Sequence, residues 1–214
     1  MRRSEAVVLP GRIPYFSQWE SPTEAAALID GRRSLADVTD WAASGAQSQA
    51  EFIEWANHLC GMCCLKMALA ASGHPPPPLL PLTRASLPYG TYVREGEAIR
   101  GLIYAPFVAY VQEAWAMAAA VTTGITAEEI APLLTRYTWF IASVHPSIRQ
   151  PERDPPHTGG HLVLVSAADD RHITFHNPSG DRPETQSYVT LPLTIFARFF
   201  AGRGIALSAP ASEK

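Results

Sequence analysis

The stretch GGHLVLVSAADDRHITFHNPSG (159–180) decides the fold. HLVLVSA (161–167) and HITFHN (172–177) are rich in β-branched and aromatic residues and bounded by turn formers, so both read as strands. ADDR (168–171) reads as the hairpin connection between them, and NPSG (177–180) as a second turn. Alternation puts His161, Val163 and Val165 on one face and Leu162 and Leu164 on the other. Working outward, WFIASV (139–144) is a third strand, residues 193–201 a short helix, and GIALSA (204–209) a last strand.

Upstream of Tyr137 the texture is helical. SPTE (21–24) is a capping box with proline at the first helical position, predicting a helix that ends near Gly31. SQAE (48–51) is a second capping box, opening an amphipathic run with Phe52, Trp55 and Leu59 on one face. A third helix is expected from Cys60 to Ala71, with Gly73 as its stop. HPPPPLLPLTRASLPYG (74–90) reads as a proline-rich extended segment that cannot be helix. A fourth helix is expected within 106–120, and TAEE (126–129) caps a fifth that Pro132 kinks or shortens. The expected fold is α+β in a single domain, 1–214. A helical lobe, about 13–136, packs on an antiparallel β-sheet lobe, about 137–209.

Bulk properties narrow the function classes. A chain of 214 residues, 47% of them hydrophobic, can bury a full core. The formal net charge of −3 gives no basic footprint, so no nucleic acid is expected. The start, MRRSEAVVLPGRIPYF, has too short an apolar run for a signal peptide. The most apolar stretch, 105–121, is broken by Gln112 and Glu113, so no membrane span is expected. Three cysteines, all inside five residues, argue against a secreted disulfide framework, and the expected location is cytoplasmic. Oligomeric state leaves no mark in the sequence.

Cys60 stands where a helix begins, beside Gly61. Unsatisfied backbone N–H groups and the positive end of the helix dipole favour a thiolate there, with a pKa somewhere in the range of roughly 3.5–7.5. Cys64, one turn on, reads as buried packing. Cys60 and Cys63 also have C-x-x-C spacing, and His172 and His176 share a strand face, so a metal site is a minor reading; no cofactor is called for. His161 follows two glycines that permit a close approach at a cleft wall. Asn177 ends the next strand, and Gln18 lies in the extended segment IPYFSQW (13–19), where its amide can donate toward an oxyanion.

Taken in order, IPYFSQW, HLCGMCCLKMAL, GGHLVLV and ITFHNPSG resemble the bacteriocin-processing, double-glycine type of cysteine peptidase within the papain-like group. TAEEIAPLLTRYTWFIASVHP (126–146) is similar to that family's helix and strand before the histidine. The resemblance implies Cys60 as nucleophile, His161 as general base and acid, Asn177 as the group orienting the imidazole, and Gln18 as oxyanion donor. It implies a peptide or amide substrate and a thioester acyl-enzyme. An amidase, peptide cyclase or ligase using the same thioester, or an idle peptide-binding module, are the alternatives. Cys63 departs from the pattern, standing where a small residue is usual. It either fills space or resolves an oxidised Cys60 as a disulfide, and packing is the simpler expectation.

Overall fold

The computed structural model describes residues 12–209, so the reading of the N-terminal start lies largely outside the described residues. The helical elements of the first part are α1 (Ala25–Ile29), α2 (Gln49–Trp55), α3 (Cys60–Ala71) and α4 (Leu79–Ser86). A hairpin of β1 (Tyr92–Glu95) and β2 (Ala98–Gly101) follows, then α5 (Tyr104–Trp115) and β3 (Ala119–Thr123). The remainder runs α6 (Ile130–Leu134), β4 (Trp139–Val144), β5 (His161–Ala168), β6 (His172–His176), α7 (Pro183–Gln186), β7 (Val189–Pro192), α8 (Leu193–Phe199) and β8 (Phe200–Leu207).

Six strands form one antiparallel sheet in the order β3-β8-β4-β5-β6-β7. Its two faces are both covered, which is why β4 is buried along its whole length. Leu162, Leu164, Ile141 and Ile205 pack with Leu65 and Leu69 of α3 on one face. Val163, Val165, Phe140 and Ala142 pack with Phe196 and Phe199 of α8 and with Ile130 of α6 on the other. The period-2 alternation of β5 therefore serves two cores at once. None of the helices among the described residues is long and apolar enough to cross a membrane.

The α+β class, α3, β4, β5, β6 and the ADDR hairpin match the expectation from sequence. At that hairpin the Asp169 carboxylate accepts the Arg171 and His172 N–H groups at 2.7 and 2.6 Å. Four readings are corrected. The SPTE segment is a turn: α1 starts later, at Ala25, with no side-chain cap, because the Glu24 N–H goes to the Ser21 carbonyl. The proline-rich segment does contain a helix, α4. Pro81 sits in its first turn, where an N–H has no intrahelical partner, and Leu79, Leu80 and Leu82 bury an apolar face. The helix expected within 106–120 ends at Trp115, and Ala119 begins β3. That strand joins the edge of the six-stranded sheet, so residues before 137 also build it. Helices α6 and α8 cover the second face, so helix is not confined to one side of the sheet.

Candidate active site

Helix α3 lies across β5, and its first residue is Cys60. Close packing depends on Gly61: a Cβ there would stand 2.7 Å from a methyl of Leu102 and 2.8 Å from one of Leu162. Only a bare Cα lets the first helical turn sit this near the sheet. Of the three free cysteines, Cys60 is half-buried while Cys63 and Cys64 are fully buried, so only Cys60 offers sulfur to a cleft.

The Leu162 peptide couples helix to strand. Its carbonyl accepts from the Cys64 thiol at 3.7 Å, and its N–H, with those of Cys60 and Gly61, faces the Cys60 sulfur. These N–H groups favour the thiolate, as the helix start leads one to expect. Burial outweighs them and pushes the Cys60 thiol up to about 11. The low pKa read from the sequence is thereby corrected: a helix N-terminus lowers a thiol pKa only where solvent or a cation also serves the anion.

His161 opens β5 immediately after Gly159 and Gly160, both at positive φ (83° and 94°), a backbone that glycine supplies without strain. Its Nε2 lies 2.8 Å from Asn177 Oδ1 and 3.0 Å from Ser179 Oγ. Asn177 Oδ1 also accepts the Ser179 backbone N–H at 3.1 Å. A backbone N–H only donates, which fixes the orientation of the asparagine amide. Nε2 must then carry the hydrogen, and Nδ1 is left as the basic nitrogen. Burial lowers the His161 pKa to about 4, against the Asn177 hydrogen bond, and the Arg149 charge pushes the same way as burial. The imidazole is neutral at pH 7.

Cys60 and His161 line one cleft of about 470 Å³. Among the described residues no hydrogen bond joins sulfur to imidazole. Thiol and imidazole both stand neutral in this cleft.

Gln18 is 4% exposed and does not line this cleft. Its backbone N–H goes to the Pro178 carbonyl at 3.0 Å and its Nε2 to the Ala56 carbonyl at 3.3 Å. It thus bridges the turn after β6 and the segment just before Cys60, with one amide hydrogen uncommitted. The Gln18 loop is pinned to α3 by two contacts. The Cys63 thiol donates to the Phe16 carbonyl at 3.1 Å, and Lys66 reaches Glu20 at 3.3 Å in a pair that is 8% and 11% exposed. Cys63 is therefore an anchor for that loop, with its sulfur turned to a carbonyl.

Two site residues were missed from sequence. Ser179 was legible in principle, because Asn-Pro-Ser-Gly places its N–H where an Asx-type turn closes. Arg149 left no signal: it is held only by the fold, donating to the Ser179 carbonyl at 2.9 Å and to its hydroxyl at 3.4 Å. The minor metal reading loses its geometry, since His172 is exposed at the hairpin while His176 is buried against Tyr188. Among the described residues no three His, Cys, Asp or Glu side chains cluster as metal ligands.

Arg149 carries a testable electrostatic effect. Its guanidinium disfavours the imidazolium form of His161, so Arg149→Gln, which keeps a donor but removes the charge, raises the His161 pKa. NMR titration of the imidazole should show the midpoint moving to higher pH. An unmoved midpoint would show that burial alone sets it.

Compared with known proteins, the chain matches no protein-family model and no curated protein.

Proposed function

We propose that this protein is a papain-like cysteine peptidase that cleaves a peptide or amide bond through a thioester on Cys60, in a reducing, cytoplasmic setting. The observation that carries the reading is the Asn177–His161 hydrogen bond, which fixes the tautomer of a histidine lining the same cleft as the one solvent-reachable thiol. An asparagine oxygen that accepts Nε2–H of a buried histidine holds Nδ1 ready for a proton, a use beyond packing. The three free thiols suit a reducing compartment.

The reaction then runs from neutral partners. Substrate binding expels water and brings the thiol to Nδ1. The proton passes from sulfur to nitrogen as the S–C bond forms on the carbonyl carbon. His161 returns that proton to the departing amine as the C–N bond breaks, leaving the thioester. Water attacks next, giving its proton to Nδ1, and the acid leaves as sulfur is reprotonated. An amine in place of water makes the same site an amidase-type transferase, cyclase or ligase, and added amine nucleophiles distinguish these outcomes.

The oxyanion of each tetrahedral species needs donors. The Cys60 N–H at the helix start is one; Gln18, outside the cleft and held to the Ala56 carbonyl just before Cys60, becomes the second when substrate binding swings its amide toward the sulfur. Gln18→Ala should lower kcat by roughly 10²–10³ with little change in KM. Undiminished kcat would assign the role to another donor and leave Cys60 in place.

The direct test is intact-mass spectrometry after rapid acid quenching with a peptide mixture. A covalent adduct on Cys60, lost in Cys60→Ala, supports the reading, and its mass reports the acyl half of the substrate. A chain that binds peptide but never acquires an adduct is a binding module.

A further inference from the structure

We propose that the cleft selects an anionic substrate, with a carboxylate on the leaving-group side of the scissile bond held by Arg203. The proposal rests on the cysteine-enzyme reading above and specifies its substrate class.

The charged side chains in the cleft wall, apart from the reacting pair, are Arg100 and Arg203, and no carboxylate lines it. This is a local excess of positive charge in a chain whose net charge is −3. Arg100 is partnered: it pairs with Glu95 at 3.2 Å, although both ends are well exposed. Arg203 has no carboxylate within ion-pair distance among the described residues. Its position is also defined. A Cβ built on Gly159 would lie 3.3 Å from Arg203 Nη2 and 3.3 Å from Ser143 Oγ, so guanidinium and hydroxyl converge on the backbone two residues before His161. Ser143 is 3% exposed, lines the same cleft and makes no side-chain hydrogen bond among the described residues. A hydroxyl open to the cleft without a partner, beside an unpaired guanidinium, is a donor set that suits an acceptor. A carboxylate matches it, because the planar fork of arginine takes two oxygens at once.

Chemistry assigns the side. His161 delivers its proton to the departing amine, so the wall that carries the base runs along the leaving-group half of the substrate. Arg203 and Ser143 stand on that wall, against residues 159–161. Arg100 comes from β2, next to Gly101 and to Leu102, whose methyl crowds Gly61 beside the nucleophile. The carboxylate can come from an acidic side chain on the first leaving-group residue or from the free C-terminus of a short leaving group. Both present the same anion to Arg203.

Three bromoacetyl probes separate these sources and test the proposal. Bromoacetyl-glutamine amide is neutral, bromoacetyl-glutamate amide carries a side-chain carboxylate, and bromoacetyl-glutamine carries a terminal one. In each, the Cys60 sulfur displaces bromide as the S–C bond forms, and the thiol proton passes to solvent. Rates of Cys60 modification are read by intact mass at pH 8 and low salt, in wild type, Arg203→Gln and Arg100→Gln. At least one anionic probe should outpace the neutral probe by about tenfold, and which one does names the source. The ratio should fall as salt rises and collapse in Arg203→Gln. Equal rates overturn the anionic assignment while leaving the cysteine-enzyme reading intact. A preference that survives Arg203→Gln and vanishes in Arg100→Gln overturns the leaving-group placement. Failure of all three probes at Cys60, with the fold intact by circular dichroism, overturns both readings.

Discussion

For the proposed reaction, Cys60→Ala should abolish turnover, with a loss on the order of 10⁶ in kcat, and His161→Ala should do nearly the same alone. The two substitutions together should cost no more than either one, because a nucleophile and its base act as a unit. Stability changes little in Cys60→Ala, since the residue is half-buried and alanine keeps a good helix former at the first position of α3. Thermal unfolding of the variant should therefore overlay the wild type while the adduct on residue 60 disappears. Cys64→Ala is the contrast: it removes a fully buried thiol from the α3–β5 seam and should lower the melting temperature without touching the chemistry. Turnover that persists in Cys60→Ala, or effects of the two substitutions that simply add, would place the chemistry elsewhere. The magnitudes differ enough to keep these outcomes apart, since a packing defect costs a few kcal/mol of stability and a missing nucleophile costs the reaction itself.

How much of this was legible depended on which physical signal each element carries. Strands β4, β5 and β6 announce themselves because their β-branched and aromatic runs are bounded by turn residues whose side chains make the turns, as Asp169 does. Helix α3 was placed to the residue, since an apolar run beginning at Cys60 and stopping before Gly73 leaves few alternatives. Helix α4 was hidden by its prolines, which forbid helix in the interior and favour it in the first turn; the letters alone do not say which applies. Strand β3 was hidden by alanines, which read as helix until the β8 partner strand claims them. The hairpin β1–β2 is short, largely exposed and charged, so no alternation betrays it. At the site, the residue types of Cys60, His161 and Asn177 were visible, but their protonation was not. A helix start suggests a low thiol pKa, whereas burial by Leu102, Leu162 and the strand above reverses the sign, and burial is a property of the tertiary fold. Arg149 and Arg203 belong to the same class: exposed or half-exposed arginines far apart in sequence, given meaning only by what the sheet brings beside them.

Acidification from pH 6.5 to pH 4 should destabilise the native state by several kcal/mol, with most of the loss above the range where carboxylates protonate. Two histidines cause it. His161 is 6% exposed and His176 fully buried, and burial lowers both to about 4 from an ordinary value of 6.5. His176 is the harsher case, because neither ring nitrogen has a hydrogen-bond partner among the described residues, and it packs edge-on against Tyr188 at 4.3 Å. A proton there has no acceptor to spread its charge to. The sign follows from linkage: with folded pKa values below the unfolded ones, the unfolded chain binds protons first as pH falls. Stability is undiminished by these groups above pH 6.5, declines between 6.5 and 4, and loses nothing further from them below 4. The loss is about 3 kcal/mol for each histidine, against a typical total of about 5–15 kcal/mol. Urea midpoints at pH 7, 5.5 and 4.5 measure the slope directly. His176→Leu should remove roughly half of the loss and leave Cys60 reactivity alone, since His176 faces Tyr188 and does not line the cleft. A pH dependence identical in wild type and His176→Leu excludes His176 as a source of the acid sensitivity. The two events also overlap in pH, so the acid limb that the proposed reaction should show as His161 protonates near 4 is to be read by pH-jump assays faster than unfolding. Activity that recovers fully on an immediate jump back, and partially after a delay, separates imidazole protonation from loss of the fold.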